Sequence, residues 1–470
     1  MNATSSRFAG RERELATLNR EYEEVRESGR GRFVLIRGRR RVGKSRLVEE
    51  FIDRNSIPAL FFASARGRAT ERELARFSDL MSQSSPWGSR IPAGTRFESW
   101  TAALTSAAGA SSRERPVVLI LDEFPWLLES DAGIEGELQA VWDRVVKDLP
   151  VLLIVIGSDM AVMDALTTYG RPLFDRPTRA LVVSTLTPGE LGSMLDLTAR
   201  DALELYLVLG GFPSLAETWR ASDSLSRLLT RELVDATSPL VVSGERMMNA
   251  EFPAQTQARK VLAAIGAGER TFKGIGQESG VPAPTLQVTL PMLVEKRVVE
   301  KRLPVSAKPS REARYLVADP YLRFWLRFIE PGLEEIERGR GDRVAARILG
   351  SWSDYRGKAI EPVVQEALRR LSPDPRLQEA TTVGGFWTRS NNPEIDLVGR
   401  SEGKAGRVVF VGTVKWQSRK ALGDGDAEDL LLDASKIPGV GLETLSVGVS
   451  FSGFRTKRFD VRLGPEDILF

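Results

Sequence analysis

A reactive pattern first shows itself at Gly38-Arg39-Arg40-Arg41-Val42-Gly43-Lys44-Ser45, which follows the apolar run Arg32 to Arg37 without a break. Glycines in the spacing G-x-x-x-x-G-K-S let backbone N–H groups curl around phosphate oxygens, where a Cβ would obstruct them. Lys44 would then reach the β and γ phosphates of a nucleotide. Ser45 would open a helix from Lys44 to Arg54, with its hydroxyl on Mg²⁺ and the helix N-terminus facing the anion. Arg46 completes the expected nucleotide-binding segment at its helical end. A chance basic turn is the alternative, and the strand, loop, helix order argues against it.

A second chemical stretch is Pro116 to Glu123, PVVLILDE, a continuously apolar run ending in two carboxylates. A buried parallel strand delivers acids to its C-terminal edge in this way. Asp122 would hold Mg²⁺ through water, and Glu123 would polarise the water that attacks the γ phosphate. The plainer reading makes both acids caps of the following helix. A third apolar run, Val151 to Ile156, ends at Gly157-Ser158-Asp159 and brings a hydroxyl to the same edge, where Ser158 and Asp159 could equally cap the helix Met160 to Leu166. Beyond it, Arg171 and Arg176 could complete the charge on a transferring phosphate, in cis or across subunits of a homo-oligomer, with Arg176 favoured and surface ion pairing the alternative.

The residue inventory narrows the chemistry. The chain has 470 residues, no histidine and no cysteine. Ser-His-Asp triads, histidine bases and histidine- or thiolate-held zinc are excluded, which leaves carboxylates, lysines, arginines and hydroxyls. Phosphoryl transfer with ATP and Mg²⁺ fits that set. The N-terminal stretch MNATSSRFAGRERE lacks a signal-peptide core and no apolar run is long enough for a membrane span, so the cytoplasm is the expected location. A net charge of +3 is small for this length and argues only weakly for a nucleic-acid partner.

The positioning elements alternate strand with helix, which implies an α/β fold with a parallel sheet. Together, the segment Phe8-Ala9-Gly10-Arg11-Glu12-Arg13-Glu14-Leu15, the phosphate loop, the acid-tipped strand, Tyr169 to Thr178 (YGRPLFDRPT) and Gly210-Gly211-Phe212-Pro213 resemble the archaeal-type STAND branch of the AAA+ P-loop ATPases. Asp175 stands where that family usually has glycine. The resemblance runs from Phe8 to about Asp235. It implies a five-stranded parallel sheet under a helical lid, Arg11 near the nucleotide base, and Ser158 at the sensor position. No Asn-Lys-x-Asp motif for guanine is present, so ATP is expected over GTP.

The expected domains are 1–186 for the P-loop domain, 187–250 for lid and linker, 251–330 for a winged-helix module and 331–470 for an α+β module. A linker is expected at Thr237 to Ala254, where proline, serine and glycine interrupt the helical pattern. Three short helices between Ala258 and Glu295, then RVVEKRLP and ARYLVAD, resemble a winged helix. Residues 259–330 hold 13 Lys or Arg against 7 Asp or Glu. If the third helix entered a major groove, Thr285, Gln287 and Thr289 would read bases while Lys308 and Arg311 touched phosphate; a protein-contact role is the alternative. Tyr321, Phe324, Trp325 and Phe328 follow a helical stripe and are expected to be core.

The Tyr315 to Glu330 segment resembles the lead-in to a restriction-endonuclease-like C-terminal domain. That resemblance implies a divalent-metal site with Asp396 on one strand and Lys415 on the next, and Glu394 or Glu361 as a relocated carboxylate. Thr413 stands where such a site has glutamate, and a hydroxyl holds Mg²⁺ poorly. The sequence therefore supports an ATP-hydrolysing STAND-type switch coupled to a DNA- or protein-binding module, with two alternatives: an ATP-regulated metal-dependent nuclease, or a nucleotide-gated binding protein with negligible turnover.

Overall fold

The computed structural model describes residues 8–252, 256–370, 375–402 and 407–470. The signal-peptide reading of residues 1–7, the end of the expected linker at 253–254, Gln255 and Leu371 lie outside them. One compact unit spans Gly10–Thr185 and a second includes Leu186–Phe470.

In the first unit, β1 (Arg32–Arg37), β2 (Ala59–Ala63), β3 (Val117–Asp122), β4 (Val151–Gly157) and β5 (Arg179–Val182) form a parallel sheet in the order β2-β3-β4-β1-β5. β3 and β4 are buried at every position, as uninterrupted apolar strands covered on both faces must be. Because β3 and β4 fill the gap between β2 and β1, the C-terminal ends of β1, β3 and β4 lie side by side. The register sets Arg37 opposite Gly157 and Leu121 opposite Val155. One sheet edge thus receives the Gly38 loop, the acid pair and Ser158, the place where open parallel sheets bind ligands. Phe62, Phe77 and Trp100, all buried, lock the flanking helices to the sheet edge-on at 5.3–5.7 Å.

The second unit opens with helices Pro188–Leu195, capped by a reciprocal Thr187–Glu190 box, and Ala199–Leu209. Gly210 ends the latter at φ 57°, where an added Cβ would press on Tyr321. The stretch expected as a linker instead contains the helix Pro239–Glu251. Pro239 occupies its first turn, where no N–H is needed, and Gly244 leaves room for the Trp325 ring. The proline and glycine that signal a break in sequence are here a helix start and a close packing point.

Helices Thr256–Ala267, Phe272–Ser279 and Ala283–Glu295 lead into β6 (Val299–Arg302) and β7 (Arg314–Val317), an antiparallel pair. The connection between these strands does not stand free. Val305 N–H donates to the Gly385 carbonyl at 2.9 Å and Ala307 N–H to that of Pro438 at 3.0 Å. Val305 also belongs to the C-terminal core, with Phe386, Ile395 and Val398. Tyr321, Phe324 and Trp325 are buried along helix Pro320–Phe324 and the π-helical turn Trp325–Ile329.

After helices Gly341–Ala359 and Glu361–Arg370 come β8 (Thr382–Trp387), β9 (Glu394–Arg400), β10 (Val408–Lys415), β11 (Leu445–Ser450) and β12 (Val461–Leu463). They form a mixed sheet in the order β12-β11-β10-β9-β8, antiparallel across β8, β9 and β10 and parallel from β10 to β12. The chain is thus α/β with a parallel five-stranded sheet, followed by a mixed-sheet domain.

Candidate functional site

The loop leaving β1 is shaped by its glycines. At Gly38 a Cβ would come within 2.2 Å of the Val183 carbonyl oxygen. Arg41 at φ 67° and Gly43 at φ 89° are left-handed, the turn that lets successive N–H groups converge on an anion. Lys44 opens helix Lys44–Asn55, and its Nζ donates to the carbonyls of Gly38 at 2.9 Å and Arg39 at 3.0 Å. Burial holds this ammonium below the usual lysine range, against the opposing pull of Glu123 and Asp122.

A chain of hydrogen bonds links the three strand ends. Ser45 Oγ donates to Asp122 Oδ2 at 2.6 Å, and the Glu123 N–H donates to Asp122 Oδ1 at 2.8 Å. Ser158 Oγ donates to Glu123 Oε2 at 2.7 Å. Burial pushes the Asp122 carboxyl above the usual aspartate range, while the Ser45 hydroxyl and the Glu123 N–H pull it down. A buried carboxylate beside a hydroxyl, with oxygen donors only, is a donor set that Mg²⁺ would suit. Asp159, not Ser158, caps helix Met160–Ala165, through Val162 N–H at 3.0 Å. The cap thus falls to Asp159 alone, and Ser158 is left to Glu123.

Ser64 escaped the sequence reading. It follows β2, and its hydroxyl donates to the carbonyls of Asp122 at 3.0 Å and Glu123 at 2.6 Å, fixing the turn that presents both acids. Its only sequence signal is a small polar residue at the end of a strand. Arg37, also missed, ends β1 and pairs with Asp164 at 2.8 Å. Arg40 lies over the Trp126 ring at 5.3 Å, one physical use for the triple arginine.

Four arginines of the expected site take the following places. Arg11 is buried and donates to the carbonyls of Val42, at 3.1 Å, and Ser184, so it ties the loop to the end of the β5 segment. Arg46 sits on the outer face of its helix with Glu49, Glu50 and Asp53. Arg176 pairs with Asp143 at 3.0 Å and Arg171 with Glu135. Thr178, two residues after Arg176, bonds to Phe33 at the start of β1. Arg176 therefore lies at the N-terminal edge of the sheet, opposite the loop, and does not reach the phosphate site in cis.

Residues 7–154 match the model of the AAA ATPase domain, and residues 325–426 match DUF234, described as Archaea bacterial proteins of unknown function. The N-terminal unit is an AAA ATPase domain. The chain is accordingly an enzyme, a nucleoside-triphosphate hydrolase. An uncharacterized protein of Methanocaldococcus jannaschii is 26% identical over 442 residues, covering 92% of this chain and 93% of its own. A Walker-type ATPase of Pyrococcus abyssi shares the fold at TM-score 0.50 and 20% identity, over 68% of this chain and 96% of its own. The ORC2 protein of Aeropyrum pernix, solved with ADPNP and ADP, aligns at TM-score 0.47 and 13% identity, over 74% and 98%. Among the described residues no helix is long and apolar enough to cross a membrane.

Outside the ATPase domain, Glu361, Glu394 and Asp396 line one cleft, with partners other than a metal. Lys415 Nζ pairs with Asp426 on helix Asp424–Ala434. Glu394 is engaged by Arg314 at 2.7 Å and approached by Arg270 at 3.7 Å. Asp396 Oδ2 accepts from Val414 N–H at 2.8 Å and Thr413 Oγ1 at 3.2 Å, so Thr413 supplies a donor to Asp396 where a metal site needs an acceptor. Burial, with Asp396 nearby, pushes the Glu361 carboxyl up to about 8. Among the described residues no group of three acidic side chains could hold a metal ion. Of the expected base readers, Gln287 is exposed, whereas Thr289 is buried and bonds back to the Thr285 carbonyl at 2.9 Å.

Proposed function

We propose that the chain is a STAND-type AAA+ switch: ATP with Mg²⁺ is bound and hydrolysed in the ATPase domain, and the nucleotide state governs what the second unit holds, DNA or a protein. The observation that carries this reading is the unbroken hydrogen-bond chain Ser45–Asp122–Glu123–Ser158 across three strand ends. Ser45 and Asp122 would hold Mg²⁺, which when bound supplies positive charge to the β and γ phosphate oxygens. Lys44 exchanges its loop carbonyls for phosphate. Glu123, aimed by Ser158, takes the proton of the attacking water.

Nuclease chemistry is left out of this reading, because Lys415 is committed to Asp426 and Glu394 to Arg314. DNA contact would fall to Gln287 and the exposed face of helix Ala283–Glu295, since the β6–β7 connection is occupied by the C-terminal core. Lys44→Ala should abolish ATP retention. Glu123→Gln should retain ATP while turnover falls about 10²–10⁴-fold, the range of a general base. Parent-like hydrolysis by both variants would refute the mechanism. Pull-down with ATP-loaded Glu123→Gln protein then identifies whether DNA or a protein is held.

A further inference from the structure

A cleft of about 660 Å³ opens within the second unit between β6–β7 and the β8–β9 edge, with helix Glu361–Arg370 along one wall. Its volume lies inside the range of about 300–1,000 Å³ usual for small-ligand sites. Seven Lys or Arg residues line it against four Asp or Glu. The cations come from separate parts of the chain: Arg270 after helix Thr256–Ala267, Arg297 before β6, Lys301 on β6, Arg314 on β7 and Lys358 near the end of helix Gly341–Ala359. Convergence from several elements is what distinguishes a site from a solvated stripe on one helix.

The carboxylates offset part of this field and leave a cationic surplus, seven against four. Glu394 is held by Arg314 at 2.7 Å, Glu300 by Arg302 at 2.5 Å, and Asp396 accepts from the Val414 N–H at 2.8 Å. Lys301 and Lys358 are both exposed, so their ammonium groups add to the cleft as mobile point charges. Trp387, buried beneath Arg314 at 4.4 Å, backs that guanidinium and fixes its place in the wall. Cations grouped around a cavity of nucleotide size match a phosphate-bearing ligand.

We infer that this cleft binds a phosphate-bearing anion of nucleotide size, either free or as one unit of a single nucleic-acid strand. No lining residue belongs to the ATPase domain, so the inference stands whether or not the proposed switch does. The test uses the full chain carrying Lys44→Ala, which removes nucleotide binding at the loop from the signal. Two probes are titrated: AMP by calorimetry, and a short 5′-phosphorylated, fluorescein-labelled single strand by anisotropy across a salt series.

Binding of AMP alone assigns a free nucleotide; binding of the strand with little affinity for AMP assigns nucleic acid. In either case Lys301→Glu with Lys358→Glu should weaken binding by about tenfold or more. For the strand, the salt slope should flatten by about 0.7 for each phosphate no longer neutralised. Lys301→Gln with Lys358→Gln, which leaves no reversed charge, should weaken binding less at an unchanged Tm. If neither probe binds, or if both double variants bind as the parent does, the cleft is not an anion site.

Discussion

Glu123 stands at φ 53°, a left-handed conformation that costs a non-glycine residue about 1–3 kcal/mol and persists only where its surroundings enforce it. Ser64 grips the backbone of this turn and Ser158 the side chain. Ser158→Ala should therefore lower kcat about tenfold with KM little changed, because the proposed base, Glu123, is misaimed while the phosphate loop is untouched. Ser158→Thr should recover most of the rate in the same steady-state assay. The residues of this site were legible from their immediate neighbours: Asp122, Glu123 and Ser158 close apolar runs, and Lys44 and Ser45 close the glycine-spaced loop that follows one. Arg176 was not, because which sheet edge it joins depends on the pairing of Val34 with Arg179, a long-range register invisible in the local sequence.

Glu361 makes a pH prediction at the same scale. Burial pushes its folded carboxyl up to about 8 from an ordinary 4.5, so between those values the folded chain keeps a proton that the unfolded chain releases. Its contribution to stability is full below pH 4.5 and is lost progressively as pH rises to about 8. Glu361→Gln cannot ionise and should gain on the parent as pH rises. At pH near 9 its Tm should be higher by at least about 2 °C, the shift worth 1 kcal/mol in a domain of roughly 250 residues. Melts at pH near 5 should show no such advantage.

At the scale of elements, the β6–β7 connection is the clearest departure from its sequence. Charge and turn residues between Leu303 and Ala313 suggest a projecting wing, yet Val305 is inserted in the core beside β8 and β9. A lone apolar residue in a polar loop carries no periodicity, so nothing local marks it as buried. Val305→Ala should cost about 1.5–3 kcal/mol through reduced burial and the cavity left behind, read as a lower denaturant midpoint. The same substitution should speed amide exchange at Val305 and Ala307, whose N–H groups hold the connection in place. The helix Pro239–Glu251 was hidden for a related reason: proline and glycine punctuate a sequence without saying whether they stop an element or start one.

At the scale of the molecule, the second unit turns on one carboxylate. Glu204, in helix Ala199–Leu209, accepts from Trp352 Nε1 at 2.7 Å, Trp416 Nε1 at 2.9 Å and Arg356 Nη1 at 3.1 Å. The partners lie 148, 212 and 152 residues along the chain, which is why no motif announced them. Three largely buried donors share that acceptor, so Glu204→Ala should destabilise the unit by roughly 3–5 kcal/mol, the cost of stranding a buried cation and its neighbours. Chemical denaturation checks the figure, and Glu204→Gln, which keeps an acceptor, should lose less.

Two of the chain's nine tryptophans are thereby wired to a single negative charge. The molecule carries its own optical gauge: any event that loosens helix Ala199–Leu209 from β10 changes the surroundings of both indoles at once. Intrinsic emission, followed without a label while nucleotide is added and compared with a Trp352→Phe, Trp416→Phe variant, isolates that junction from the other indoles.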